Sequence, residues 1–101
     1  MFDKILKQFR DKICANRYVM TIHAEEEMDD DGLTIFDVER GILTGKIAER
    51  QKDKKTGEWK YLIKGHTVYD MNVFVVAKLS PTGKMFIITV FQEQSIIRRK
   101  L

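Results

Sequence analysis

Histidines, carboxylates, hydroxyl groups and strand lysines are the side chains of this 101-residue chain that could do chemistry. His23 lies in the stretch TIHAEEEMDDDG, shortly before six acidic residues, Glu25 to Glu27 and Asp29 to Asp31. Imidazole is the side chain that enzymes use most often as a general acid or base, so His23 is a candidate for that role. The residues leave an alternative open, in which a ring nitrogen of His23 bonds a backbone carbonyl and fixes a helix to a sheet.

A second candidate group lies in the stretch GEWKYLIKGH, which carries Lys60, Tyr61, Lys64 and His66. Because side chains alternate along a strand, Lys60 and Lys64 share one face and Tyr61 lies on the other. Two cations on one face can contact the phosphates of RNA. A solvated strand face explains the same lysines equally well. His66 follows a glycine, so we expect it to be exposed in a turn.

Charge is distributed unevenly along the chain. Residues 1–45 carry six Lys/Arg and ten Asp/Glu, a net −4, whereas residues 46–101 carry twelve and five, a net +7. A basic face of this kind suits a polyanion such as RNA, although ordinary solubility charge is an alternative. Arg50 and Lys52 lie on one face of a predicted strand and would widen the basic surface. The C-terminal RRKL could add a phosphate contact.

Several classes of function lack support in the sequence. One cysteine and two distant histidines do not form a zinc site, and there is no glycine-rich phosphate loop, so we predict no metal and no cofactor. No apolar run approaches the ~20 residues of a membrane span, so we expect no membrane partner. The charged N-terminal stretch MFDKILKQFRDK does not resemble a secretory signal, and Cys14 cannot form an internal disulfide. We expect a cytoplasmic protein.

The first part of the chain predicts helices. Apolar residues recur at steps of three and four over about Phe2 to Ala15, and Cys14 lies on that stripe, which predicts a core cysteine. A second helix is predicted over about Ile22 to Asp30, with Thr21 as its N-cap and Gly32 after its end.

A third predicted helix begins after Thr34 and ends at Gly45. Asp37 stands three positions after Thr34, which indicates a capping box with aspartate in place of glutamate. The spacing predicts an inward stripe of four apolar residues: Ile35, Val38, Ile42 and Leu43.

From Lys46 the pattern changes to that of strands, KIAERQKD, EWKYLIKG, NVFVVAKL and KMFIITVF, separated by turn-forming DKKTG and SPTG. The first has few apolar residues and is predicted to be an edge. The last two are apolar on both faces, which places them centrally, with layers on both sides or with RYVM as an extra neighbour. We predict one α+β domain over residues 1–101, with N-terminal helices packed on a mainly antiparallel sheet of four or five strands.

Five stretches, in order, resemble the domain of unknown function 4258 family: YVMTIHAEEEM, DGLTIFDVERGILTGKIAER, YLIKG, VFVVAKL and MFIITVF. The resemblance covers about residues 17–92 and leaves the first helix (2–15) and a basic tail (93–101) outside. That family is similar in fold to the RelE/ParE group of small toxins, which implies a RelE-like sheet. Some members stand beside a zinc-finger antitoxin of the MqsA type.

The resemblance therefore implies an MqsR-like toxin: a metal-independent endoribonuclease of the mRNA interferase type. Its partners would be RNA and a cognate antitoxin, such as one of the zinc-finger helix-turn-helix type. Such enzymes need a base, an acid and cations around a reacting phosphate. The resemblance gives four candidate catalytic residues: His23, Glu49, Tyr61 and Thr89. The basic strand residues are the candidate RNA-binding set: Arg50, Lys60, Lys64 and His66.

Three positions depart from the family pattern. Glu27 stands where many members have arginine, Asn72 occupies a polar or histidine position, and Phe91 replaces a tyrosine. These changes remove a cation and a phenol that could bind phosphate or transfer protons. The alternative function is a noncatalytic protein- or RNA-binding module of the same fold.

Overall fold

The computed structural model describes residues 2–93 of the chain. Three helices and a short strand come first: α1 (Asp3–Cys14), β1 (Tyr18–Met20), α2 (Ile22–Asp30) and α3 (Ile35–Thr44). Four longer strands follow: β2 (Lys46–Lys52), β3 (Trp59–His66), β4 (Asn72–Leu79) and β5 (Met85–Gln92). The predicted α+β class is confirmed. The RRKL stretch lies outside the described residues, and the division into one domain with an extra helix and a tail stays a prediction.

The strands form one sheet in the order β1-β5-β4-β3-β2. β1 runs parallel to β5, and the other neighbours are antiparallel. The five-stranded form is therefore the right one, with the RYVM stretch supplying the extra neighbour. β2 lies at the edge of the sheet, as its sparse apolar content predicts.

The caps predicted for α2 and α3 are confirmed. Thr21 Oγ1 accepts a hydrogen bond from the Ala24 amide at 3.2 Å. At α3, Thr34 Oγ1 accepts from the Asp37 amide at 3.3 Å, and Asp37 Oδ2 accepts from the Thr34 amide at 2.9 Å. These bonds satisfy amides that the first turn of a helix leaves without partners, which explains why both helices begin where the sequence predicts.

The core lies between the helices and one face of the sheet. Its fully buried members include side chains from α1, α2, α3 and the central strands: Phe9, Ala24, Val38, Ile42, Ile63, Val73, Val75, Ala77, Met85, Ile87 and Val90. α3 approaches β3 so closely that a Cβ atom at Gly65 would overlap the backbone of Gly41. This helix–strand contact therefore depends on two glycines.

Two core predictions are wrong. Cys14 is exposed because it is the last residue of α1, and Ile13 takes the buried place instead. Leu43 is 41% exposed because Gly41 and Ile42 are the residues of that turn that face the sheet. In both helices, fewer residues are buried than the apolar stripe in the sequence predicts.

The second face of the sheet is called the open face here. Side chains from β2 to β5 point to it: Glu49, Gln51, Lys60, Leu62, Lys64, Phe74, Val76, Lys78, Phe86, Ile88, Thr89 and Phe91. Among residues 2–93, only strand residues line a groove on this face. The sequence analysis allowed for a layer on each side of the central strands. Within residues 2–93, no such layer covers the sheet at this groove.

Candidate functional site

A groove of about 310 Å³ crosses the open face from β2 to β5. Polar side chains line it from both ends, with apolar residues between them: Glu49, Gln51, Lys60, Leu62, Val76, Ile88, Thr89 and Phe91. Three of the residues predicted for the site, Glu49, Lys60 and Thr89, thus meet in one groove.

A bulge in β2 places Glu49 in the groove. Ile47 pairs with Ile63, but the next pair is Glu49 with Leu62, so Ala48 is an extra residue. Simple alternation would give Glu49 the same face as Ile47, which packs against the core. The extra residue reverses that alternation and turns Glu49 to the open face.

A second bulge, in β5, does the same for Thr89. Val76 pairs with Thr89 and Ala77 with Ile87, which leaves Ile88 as the extra residue. Thr89 therefore lines the groove, and Val90 is completely buried. Regular alternation would give Val90 the same face as Phe86 and Ile88, and the extra residue returns it to the core instead.

Lys60 is the cation among the described residues that line the groove. Its Nζ lies 3.7 Å from Asp53 Oδ2 at the turn before β3. The Asp53 carboxylate accepts hydrogen bonds from the Lys55 and Thr56 amides, which lower its pKa, and Lys60 adds a smaller effect in the same direction. Half-buried and near one anion, Lys60 is placed to contact a second anion from the solvent side.

Lys64 and His66 follow Lys60 on the same face of β3, and both are exposed. Lys64 Nζ lies 5.7 Å from the ring centre of Phe74. The Phe74 ring in turn stacks on Phe91, with centroids 5.0 Å apart and planes 17° apart. The basic side chains therefore border an aromatic pair at one end of the groove.

Tyr61 and Arg50 lie on the helix-facing side of the sheet. The Tyr61 ring makes edge contacts with Phe9 and Phe2, at 5.7 and 6.0 Å between centroids. The Arg50 guanidinium lies 4.0 Å from the centre of the Trp59 ring. Neither side chain reaches the groove, so Arg50 does not share a face with Lys60 and Lys64.

His23 lies on α2, beyond the β5 side of the sheet, and is not among the groove-lining residues. Its side chain is 66% exposed, and Nε2 lies 3.0 Å from Oε1 of Glu27, whose side chain is only 11% exposed. The close polar contact of His23 is thus with the carboxylate of Glu27 and not with a backbone carbonyl.

α2 runs along the edge of β5, where β1 has ended, and its side chains bond the strand backbone. Thr21 Oγ1 donates to the Ile88 carbonyl at 3.2 Å. Glu27 and Asp31 accept from the Val90 and Gln92 amides, at 3.4 and 3.0 Å. Two of the six acidic residues that follow His23 therefore accept hydrogen bonds from the backbone of β5 at the sheet edge. Sequence reasoning missed this role, although four residues of helix, the spacing of Glu27 and Asp31, rise about 6 Å, which is close to the rise of two strand residues.

Between residues 2 and 93, no three His, Cys, Asp or Glu side chains are arranged to hold a metal ion. No helix in this range combines the length and apolar character needed to cross a bilayer.

The family model described as Domain of unknown function (DUF4258) matches residues 20–92 of the chain. The chain belongs to the DUF4258 family. The DUF4258 domain spans α2, α3 and the strands β2 to β5, so it contains the whole groove together with His23 and Glu27. Searches of curated proteins and of solved structures find no match.

Proposed function

We propose that this DUF4258 domain is a metal-independent endoribonuclease, the toxin of a toxin–antitoxin pair, and that the groove binds the phosphate that is cut. The observation that carries the proposal is the pair of bulges. Each one turns a polar residue, Glu49 or Thr89, away from the core and into the same groove, which also holds Lys60. Bulges are frequent beside active sites because they redirect single side chains.

The groove offers a base and two phosphate-binding donors for RNA cleavage, and His23 on α2, outside the groove lining, supplies the acid. The ribose 2′ oxygen attacks the adjacent phosphorus, and the bond from phosphorus to the 5′ oxygen breaks, giving a 2′,3′-cyclic phosphate and a 5′-hydroxyl. Glu49 takes the 2′ proton, and His23 gives a proton to the 5′ oxygen. Lys60 and Thr89 donate hydrogen bonds to the phosphate oxygens on which charge develops. Tyr61 and Arg50, on the helix-facing side, take no part.

The expectation that the DUF4258 family is similar in fold to RelE- and MqsR-like toxins supports this proposal. The proposal therefore includes a cytoplasmic location and inhibition by a cognate antitoxin, such as one of the zinc-finger helix-turn-helix type.

The test is cleavage of single-stranded RNA by the purified protein in EDTA. We expect 2′,3′-cyclic phosphate ends, and a loss of about 10²–10⁴-fold in kcat for Glu49→Gln. Glu25→Gln is the matched control, since Glu25 is an exposed acid on α2. Equal rates for wild type and Glu49→Gln would remove Glu49 from the reaction, and His23→Ala tests the second group in the same way.

A noncatalytic RNA- or protein-binding module is the second candidate. It is favoured by the aromatic end of the groove, where Phe91 stacks on Phe74 and offers no proton. Asn72 is also engaged, since its Nδ2 donates to Glu93 at 2.7 Å. RNA or partner binding by the wild type without cleavage under any ionic condition would make this candidate the leading one.

A further inference from the structure

Two of the contacts that Glu27 makes point in different directions. Its Oε1 accepts from the Val90 amide of β5 at 3.4 Å and lies 3.0 Å from His23 Nε2. The carboxylate thus accepts a hydrogen bond from the strand and lies 3.0 Å from a ring nitrogen of a mostly exposed imidazole. A buried carboxylate that bonds one ring nitrogen fixes the orientation of the ring and leaves the other nitrogen for chemistry.

The packing of α2 shows on which side His23 lies. Ala24 and Met28 pack against the core, and Glu27 contacts the β5 edge. At about 100° per residue, His23 lies about 40° beyond Glu27 on the side away from Met28. Around α2, Met28 therefore faces the core, Glu27 faces the edge of β5, and the next position in the same direction faces the side of the sheet that carries the open face. This angle places His23 on the open-face side of α2, and Ile88 and Thr89 of the neighbouring strand line the groove on that same face.

We propose that Glu27 is a positioning residue, which holds Nε2 of His23 so that Nδ1 faces the substrate across the groove from Glu49. The inference rests on the proposed function and completes its geometry. Glu49 takes the 2′ proton from the β2 side, and Nδ1 of the protonated His23 gives its proton to the leaving 5′ oxygen from the β5 side.

Asp31 provides a matched control for this role. It accepts from the Gln92 amide as Glu27 accepts from Val90, on the same helix and the same strand edge. Glu27→Gln and Asp31→Asn therefore each remove one carboxylate that bonds the β5 backbone. We expect similar changes in melting temperature for both variants. If Glu27 positions His23, only Glu27→Gln lowers kcat, by about 10–100-fold, with KM within about twofold of the wild type.

A double-mutant cycle with His23→Ala separates positioning from a general effect. In that background Glu27→Gln should cause no further loss of kcat, because the group that it orients is already absent. Equal losses of kcat in Glu27→Gln and Asp31→Asn would overturn the inference, as would an undiminished effect of Glu27→Gln in the absence of His23.

A second readout does not depend on activity. Carbon-13 relaxation of the His23 ring in the full chain should show an ordered ring in the wild type and in Asp31→Asn, and a mobile ring in Glu27→Gln. A ring equally ordered in all three proteins would overturn the positioning role. A wild type that cuts no RNA would overturn the proposed function instead, and the ring measurement would then decide the role of Glu27 alone.

Discussion

Asp53 shows at the scale of one residue how a turn supports the groove. Its carboxylate accepts from the Lys55 amide at 2.8 Å and the Thr56 amide at 3.3 Å. These bonds, and to a smaller extent the charges of Lys60 and Lys78, hold the pKa of Asp53 below its ordinary value of 3.8. Asp53 also lies beside Lys60, so its charge belongs to the electrostatics of the site.

The lowered pKa of Asp53 gives a pH prediction. Because the folded value lies below the unfolded one, the contribution of Asp53 to stability is complete above about pH 4 and is lost as the pH falls through the folded pKa. A carbon-detected NMR titration should find the Asp53 midpoint below 3.8. In Asp53→Asn the acid side of the stability profile should be flatter. A midpoint at or above the ordinary value would contradict the turn geometry.

Thr67 gives a second prediction for a single residue. It is 2% exposed, and its Oγ1 accepts from the Tyr69 and Met71 amides at 3.2 and 3.1 Å. Thr67→Val should cost about 1–3 kcal/mol in the free energy of unfolding, because these two amides of the β3–β4 turn lose their acceptor. Urea unfolding measures this cost. Thr82→Val, at an exposed threonine, should change stability by less than about 0.5 kcal/mol.

At the scale of elements, the contact of α3 with β3 depends on the space that glycine leaves. A Cβ atom at Gly65 would overlap the Gly41 carbonyl, and one at Gly41 would lie 2.6 Å from Val73 Cγ1. Gly65→Ala should therefore push α3 from the sheet and cost about 1–3 kcal/mol or more. Gly57→Ala is the control, since it meets no atom within 4 Å and carries only the strain of φ +74°. A smaller loss for Gly65→Ala than for Gly57→Ala would contradict this packing.

The helices and strands also show how much of the structure the sequence could predict. The bounds of α2 are those predicted, because Thr21 at one end and Gly32 after the other mark them by residue type. The facing of Lys60 and Lys64 follows from alternation in a regular strand. The facing of Glu49 and Thr89 does not, because each follows a bulge. The extra residues, Ala48 and Ile88, are of types that are common in regular strands, so the sequence does not indicate that the side chains change face there.

The groove itself could not be predicted for a related reason. The sequence predicts that Tyr61 and Arg50 are strand residues with functional side chains. Only the position of the helices shows that both lie on the helix-facing side of the sheet, away from the groove. The pairing of His23 with Glu27 depends on α2 lying along β5, which a local pattern does not reveal. The resemblance supplied His23, Glu49 and Thr89 as candidates, and their roles stay predictions.

At the scale of the whole molecule, the distribution of cations predicts how RNA binding responds to salt. If Lys60 and Lys64 each contact a phosphate, replacing both with glutamine should flatten the log–log dependence of affinity on salt by about 0.7 per contact. Lys4→Gln with Lys7→Gln is the matched control, since it makes the same change of net charge on exposed positions of α1. Fluorescence anisotropy with single-stranded RNA measures both slopes. Equal slopes for the two double variants would mean that the open face does not bind the strand.

The covering of β5 by α2 also limits how copies of this protein can associate. Thr21, Glu27 and Asp31 occupy backbone groups of β5 that a strand from another molecule would need. β1 has only three residues, which is too short for stable pairing with a strand of another molecule. β2 is left as the one long edge of the sheet within residues 2–93. Two molecules joined through their β2 edges would have no second edge to offer, so strand pairing would stop at a dimer, and growth into a fibril would have no next step.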